Sequence, residues 1–190
     1  MSNQILLTTP LRVKQMTVLG GTVDDELLYP IILTAQEKYM HPTLGGDLFK
    51  KLQTLIDNGT ITDGGNSAYK DLLDDFITPC LVQYTFAETV PLLRLRFAHN
   101  AVVAMGSEQS TTASVDDIKP VVDSALYIAN WHRERMIDHL CYATNLPEYN
   151  TQTQPNISPS VTNYTQGLNI GDYKESQEAK IIRQLLDVKK

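Results

Sequence analysis

The densest cluster of groups able to carry chemistry is the run WHRERMIDH, Trp131 to His139, which holds two imidazoles, two carboxylates and two guanidinium groups. His132 and His139 stand seven residues apart and roughly share a helical face, as a metal site or an acid–base pair would require. Helical metal sites place a third His or a carboxylate at i+3 or i+4 on that face, and none falls there. The histidines therefore read as core or interface side chains, and WHRER as a solvated face with Glu134 beside its arginines. Asp74 and Asp75 are adjacent, so on a helix they point about 100° apart, a poor geometry for a shared-proton dyad. The glycine pairs at Gly20, Gly45 and Gly64 lack the flanking pattern of a phosphate-cradling loop, and no GxSxG or HExxH occurs. No catalytic residue, cofactor or metal is expected, and the chain does not read as an enzyme.

Cys80 and Cys141 lie far apart without a CxxC or Cys/His spacing. Each is expected as a buried thiol on the core side of a helix. A chain of 190 residues and 21.3 kDa has room for one core plus an appendage. The formal charge of −6 argues against a surface built to grip phosphates. No apolar run is long enough to span a bilayer, and the start MSNQILLTTPLRVKQ lacks the basic and apolar regions of a secretory signal, so folding in a cytosol is expected.

The elements that must position any site are helical. The strongest period runs from Asn66 to Arg96, with Tyr69, Leu72, Leu73, Phe76, Ile77, Cys80, Leu81, Tyr84 and Ala87 on one face. It predicts a single long spine kinked at Pro79 and Pro91, with Leu72, Phe76, Leu81 and Tyr84 buried. Before it, residues 1–21 read as an arm with two short β-capable runs split by Pro10. A first helix is expected from Val23 to Met40, capped by a Thr22–Asp25 box, with Leu28, Ile31, Ile32, Ala35 and Tyr39 inward; His41-Pro42 ends it. A short helix follows with Leu48, Phe49, Leu52, Leu55 and Ile56. After the spine, residues 97–113 read as a protruding hairpin or loop. Ser114 and Asp117 form a second capping box, opening a helix to about Ala143 with Ile118, Val122, Ala125, Ala129, His132, Met136 and Leu140 on one face. The expected fold class is all-α: a bundle of about four helices over 22–146, an arm over 1–21 and an extended tail over 147–190 ending in a short helix.

That tail changes composition abruptly. Between Pro147 and Tyr173 there is no Lys or Arg, and Ser, Thr, Asn and Gln dominate. Such a segment buries too little apolar surface to offset its ordering entropy alone. Its spaced Tyr149, Ile157, Val161, Tyr164, Leu168, Ile170 and Tyr173 read as anchors for a partner, joined by Ile181 and Leu185 of the terminal amphipathic helix and by Val102 and Met105 of the loop. The tail is expected to act in trans, so that a chain ending at Asn145 would keep its fold.

The order of features resembles a known family. The segments are DDELLYPIILTAQEKYMHPTLGGDLFKKL, FITPCLVQYTFAETVPLL, a loop, ANWHRERMIDHL and LPEYN, with Ala35, Gln36, Tyr39, Pro42, Leu44 and Gly45 the most telling positions beside the tail pattern LPEY…P…NYTQGL. Across about residues 22–175 the chain is similar to the small head-tail connector proteins of tailed bacteriophages, also called head-completion or adaptor proteins, in particular the ring proteins of crAss-like and other phages of Bacteroidetes. The resemblance implies a homo-oligomeric ring, commonly dodecameric, that binds the portal protein and neighbouring tail or ring proteins. It implies a virion protein at the head–tail interface, assembled in the bacterial cytoplasm, with DNA passing through the lumen without specific binding, and with no active site, cofactor or membrane contact. The alternative reading is a helical scaffold or regulatory module that binds another protein.

Overall fold

A computed structural model describes residues 5–20, 23–93, 95–98, 101–104, 114–143 and 145–151. The fold is a helical bundle, and its four long helical segments are the four that the periodicity predicts. Helix α2 (Asp25–Ala35) runs through a π turn, Gln36–Met40, into α3 (His41–Leu44). Helix α4 (Gly46–Asp57) follows. The spine is α5 (Ser67–Leu72), a second π turn, Leu73–Ile77, and α6 (Thr78–Leu93). Helix α7 (Val115–Tyr142) is the longest and packs along α6.

The same device appears twice. Each π turn ends two residues before a proline, at Pro42 and Pro79, and the residue before the proline donates its N–H five positions back, His41 to Gln36 and Thr78 to Leu73. A proline ring crowds the carbonyl four residues earlier and offers no N–H. Widening the preceding turn makes room for the ring without ending the helix. His41-Pro42 therefore does not end the first helix, as the sequence suggests; helical structure continues to Leu44 and stops at Gly45. There φ is 77° and ψ 159°, a region open essentially to glycine alone.

The expected β-capable arm is instead helical and part of the core. Thr9 accepts from the N–H of Arg12, and Pro10 occupies the first helical position of α1 (Pro10–Met16), the place where a missing N–H costs nothing. Leu7 and Val13 are buried in the same cluster as the spine residues. Buried Gln36 fastens the strand-like entry: its Oε1 accepts from the N–H of Leu7 at 3.1 Å and its Nε2 donates to the carbonyl of Ile5 at 3.0 Å, so the polar group is satisfied where it is buried. The Thr22–Asp25 box does not open α2, because Asp24 is the capping residue and Asp25 is already helical.

The remaining expectations divide by burial. Leu28, Ile31, Ile32 and Ala35 of α2, and Leu48, Phe49, Leu52 and Leu55 of α4, are buried as their spacing predicts. Leu72, Leu81 and Tyr84 are too, but Phe76 is only half-buried. Cys80 is buried, whereas Cys141 is exposed, contrary to the expected core position. The Ser114–Asp117 capping box forms at the start of α7, with both reciprocal bonds present. The spine ends at Leu93, and the next residues form an antiparallel hairpin, β1 (Leu95–Ala98) with β2 (Ala101–Ala104), pairing Leu95 with Ala104 and Ala98 with Ala101. The hairpin thus starts just ahead of the predicted 97–113.

Candidate functional site

Helix α7 carries two apolar stripes. Ala125, Ala129, Met136 and Leu140 are buried against the bundle. Away from it Val121, Tyr127, Ile128, Trp131 and Tyr142 stay exposed, Tyr127 at 76%, Trp131 at 54% and Tyr142 at 78%. At about 100° per residue Tyr127, Trp131 and Tyr142 lie roughly across the axis from the buried set, and Ile128 and Val121 about a quarter turn from it on one flank. Val121, Ile128, Arg135 and Tyr142 recur every seventh residue, and Trp131 lies three beyond Ile128, the spacing of a seam that receives another helix. Around this seam Asp116, Asp117, Asp123, Glu134 and Asp138 are exposed, against Lys119 and Arg135 as the exposed cations of the helix.

The inner contacts hold α7 at a fixed rotation, which is what keeps the outer stripe facing out. The Tyr84 hydroxyl of α6 donates to Asn130 Oδ1 at 2.7 Å, and the Cys80 thiol donates to the Ala129 carbonyl at 3.4 Å. Burial pushes the Cys80 thiol up to about 12, with Arg133 opposing, and burial likewise pushes the Tyr84 phenol up to about 12. Both groups therefore stay protonated donors at neutral pH. Nearer the end of α7, His139 stacks on Phe76 with ring centroids 4.3 Å apart, and Arg135 lies 4.9 Å from the same ring.

Packing contacts place the side chains of the WHRER run. His132 packs edge-on to Trp131 at 4.8 Å, and burial, with Arg135 adding to it, holds its imidazole below the ordinary value. His132 and His139 face different neighbours, and among the described residues no group of three His, Cys, Asp or Glu side chains is placed to hold a metal ion. Asp74 takes the ammonium of Lys70 at 2.7 Å and lies 3.7 Å from Arg12; it is a surface pairing group.

A second polar cluster fixes the π turn Gln36–Met40 to α6. Lys38 Nζ and the Tyr39 hydroxyl both donate to Glu88 Oε1, at 2.7 and 2.6 Å. Burial acts to raise the Glu88 carboxyl, but the bonds from Lys38 and Tyr39 outweigh it and hold the group below its ordinary value. The side-chain bond to Glu88 is also the largest cause raising Lys38.

The partner-binding residues expected from sequence fare unevenly. Tyr149 is an internal residue: it is buried in the chain's own core beside Leu146, on the short helix α8 (Glu148–Thr151), which packs on α4. The adjacent Glu148 accepts from the Tyr69 hydroxyl at 2.7 Å. The chain's own bundle therefore extends past Pro147 and includes α8. Val102 is in β2, paired with Phe97. Met105, Ile157, Val161, Tyr164, Leu168, Ile170, Tyr173, Ile181 and Leu185 lie outside the described residues. The outward stripe of α7 is absent from the sequence reading, which assigned that helix a single apolar face; the seven-residue recurrence of Val121, Ile128 and Tyr142 was the available signal.

Among the described residues no helix is long and apolar enough to cross a membrane. Neither a curated protein nor a solved structure matches the chain. A family model does match, over residues 40–159, which takes in α4, the spine, the hairpin, all of α7 and α8. The chain belongs to that family, a family of unknown function designated DUF6712.

Proposed function

We propose that the chain is a structural virion protein, a head-tail connector subunit that assembles into a ring below the portal, joins capsid to tail and lets DNA pass. The observation that carries this reading is the outward face of α7: five large apolar side chains exposed along one side of a 28-residue helix. Large apolar side chains left in water along a helix are stabilised when another protein covers them. The partners of this reading are further copies of the chain, the portal and adjacent tail or ring proteins. The hairpin at 95–104 and the segment after Thr151 supply extensions through which a ring subunit reaches its neighbours. Formal charge of −6 suits a lumen that lets a duplex slide, because acidic walls repel phosphates rather than hold them. No catalytic step, cofactor or membrane contact belongs to this role.

Negative-stain images of the purified chain, alone and mixed with its portal protein, test the proposal. Closed rings that stack on the portal are the expected result. Particles that stay monomeric and leave the portal bare overturn it, and a monomer that captures a different single partner places the chain with helical scaffold or regulatory modules.

A further inference from the structure

We infer that the outward seam of α7 is the receiving site for the terminal segment of a neighbouring copy, residues 175–190. The inference rests on the ring reading only in taking its donor from a neighbour. The seam specifies its occupant in two ways. Its seven-residue recurrence, Val121, Ile128, Arg135 and Tyr142 with Trp131 between, fits the side of a helix rather than an extended peptide. Its exposed charges are mostly acidic, with Asp116, Asp117, Asp123, Glu134 and Asp138 set against Lys119 and the one cation within the seam, Arg135.

The terminal segment, ESQEAKIIRQLLDVKK, offers the complement. Ile181, Leu185 and Val188 fall at the alternating four and three spacing of a helical seam; Lys180, Arg183, Lys189 and Lys190 outnumber Asp187 beside it, and the other two carboxylates of the segment, Glu175 and Glu178, stand at its start. A helix of that length is marginal alone in water and gains most from a partner face. It would cover about 24 Å of a seam that runs about 32 Å from Val121 to Tyr142.

The ring reading supplies the donor from a neighbour, and the length of the connection allows it. After α7 the chain places α8 on α4. Residues 152–174 then supply a connection of roughly 26 Å as a flexible coil and up to about 75 Å when extended. Donor and acceptor surfaces differ, so the contact is head-to-tail, the kind that closes rings.

Trp131 is the one tryptophan of the chain and stands in the seam, so its fluorescence reads the site directly. The full chain is compared with a full-length I181D/L185D variant by acrylamide quenching over a range of protein concentration, with circular dichroism confirming equal helix content. Quenching that falls severalfold as the wild-type concentration rises, and stays high in the variant, is expected. In a second arm, a full-length W131F chain, which has no tryptophan emission when excited at the red edge, is added to the I181D/L185D chain as tail donor, and it should protect Trp131 of its acceptor. Raising salt should weaken that protection, since the flanking contacts are charged. The pair D123K/D138K should weaken it as well, without altering the apolar seam.

Protection independent of concentration, or a W131F donor without effect, overturns the neighbour-copy inference; so does equal quenching of wild type and variant. Rings seen in stained images while Trp131 stays unprotected would defeat this inference and spare the ring reading. Protection without closed rings would do the reverse.

Discussion

Tyr39 and Tyr84 stack face to face, their ring centroids 3.8 Å apart and their planes 7° from parallel. One hydroxyl reaches Glu88 and the other Asn130, so the pair links the π turn after α2, the spine and α7 in one continuous contact. Stacked rings of this kind contribute about 0.5–1.5 kcal/mol beyond their area burial. Their hydroxyls also convert the packing into a fixed rotation of each helix.

Glu88 gives that link a pH dependence. Its carboxyl is held below the ordinary value of 4.5, so the unfolded chain takes up the proton more readily than the folded one. Stability from this group is complete above the unfolded value and is lost as pH falls through the lower folded value. Glu88→Gln should cost about 1 kcal/mol at neutral pH, because the exposed side of the cluster is screened. Thermal melts from pH 7 down to acid check the sign: the wild-type advantage over the variant should shrink below the ordinary carboxylate range.

The spine distinguishes a buried from a half-buried position. Leu81 is fully buried and Phe76 is covered on one side by His139 and Arg135. Leu81→Ala should cost about 2–5 kcal/mol. Phe76→Ala should cost less, despite removing the larger side chain, because part of its ring already faces water. Denaturant unfolding of both variants orders them.

Much of this fold was legible, and the exceptions have physical causes. Periodicity located α2, α4, the spine and α7 because each buries one face of a long helix. It misplaced α1 because Pro10 looked like a break between strands, while Thr9 ahead of it was already the cap that makes proline acceptable. Tyr149 was hidden by its polar surroundings: one aromatic residue three beyond Leu146 suffices to dock a single turn on α4. Cys141 follows Leu140, and only Leu140 of that pair can face the bundle. The candidate site was missed for a related reason, since a search for the apolar face of a helix stops once it has found one.

Gly45 offers a test of the joint between α3 and α4. Its backbone, at φ 77° and ψ 159°, is strained for any residue with a Cβ. Gly45→Ala should lower stability by about 1–3 kcal/mol. A lowered denaturant midpoint with an unchanged slope is the expected signature. An unchanged midpoint would mean that the α3–α4 joint has another conformation.

The two thiols should separate cleanly under native conditions. Cys80 is buried and its thiol is pushed up to about 12, chiefly by burial, so it presents almost no thiolate at neutral pH. Cys141 is exposed on α7. A disulfide reagent should therefore modify one thiol per chain quickly and the second only on unfolding. Cys141→Ser should abolish the fast phase and leave the melting temperature nearly unchanged.

The boundary between bundle and tail is set by α8, and two truncations locate it. Leu146 is fully buried and Tyr149 is 4% exposed, both within the main core cluster, and Glu148 accepts the Tyr69 hydroxyl. A chain ending at Asn145 removes all three, opening a cavity under α4 and leaving the Tyr69 phenol without its acceptor. A chain ending at Thr151 keeps them. The chain ending at Thr151 should melt within a few degrees of the full chain, and the chain ending at Asn145 should melt far lower or fail to fold. Equal melting of the two would show that α8 does not pack as described. If the Thr151 chain instead loses stability by as much, residues beyond α8 also belong to the core, and the tail could not serve as a free arm.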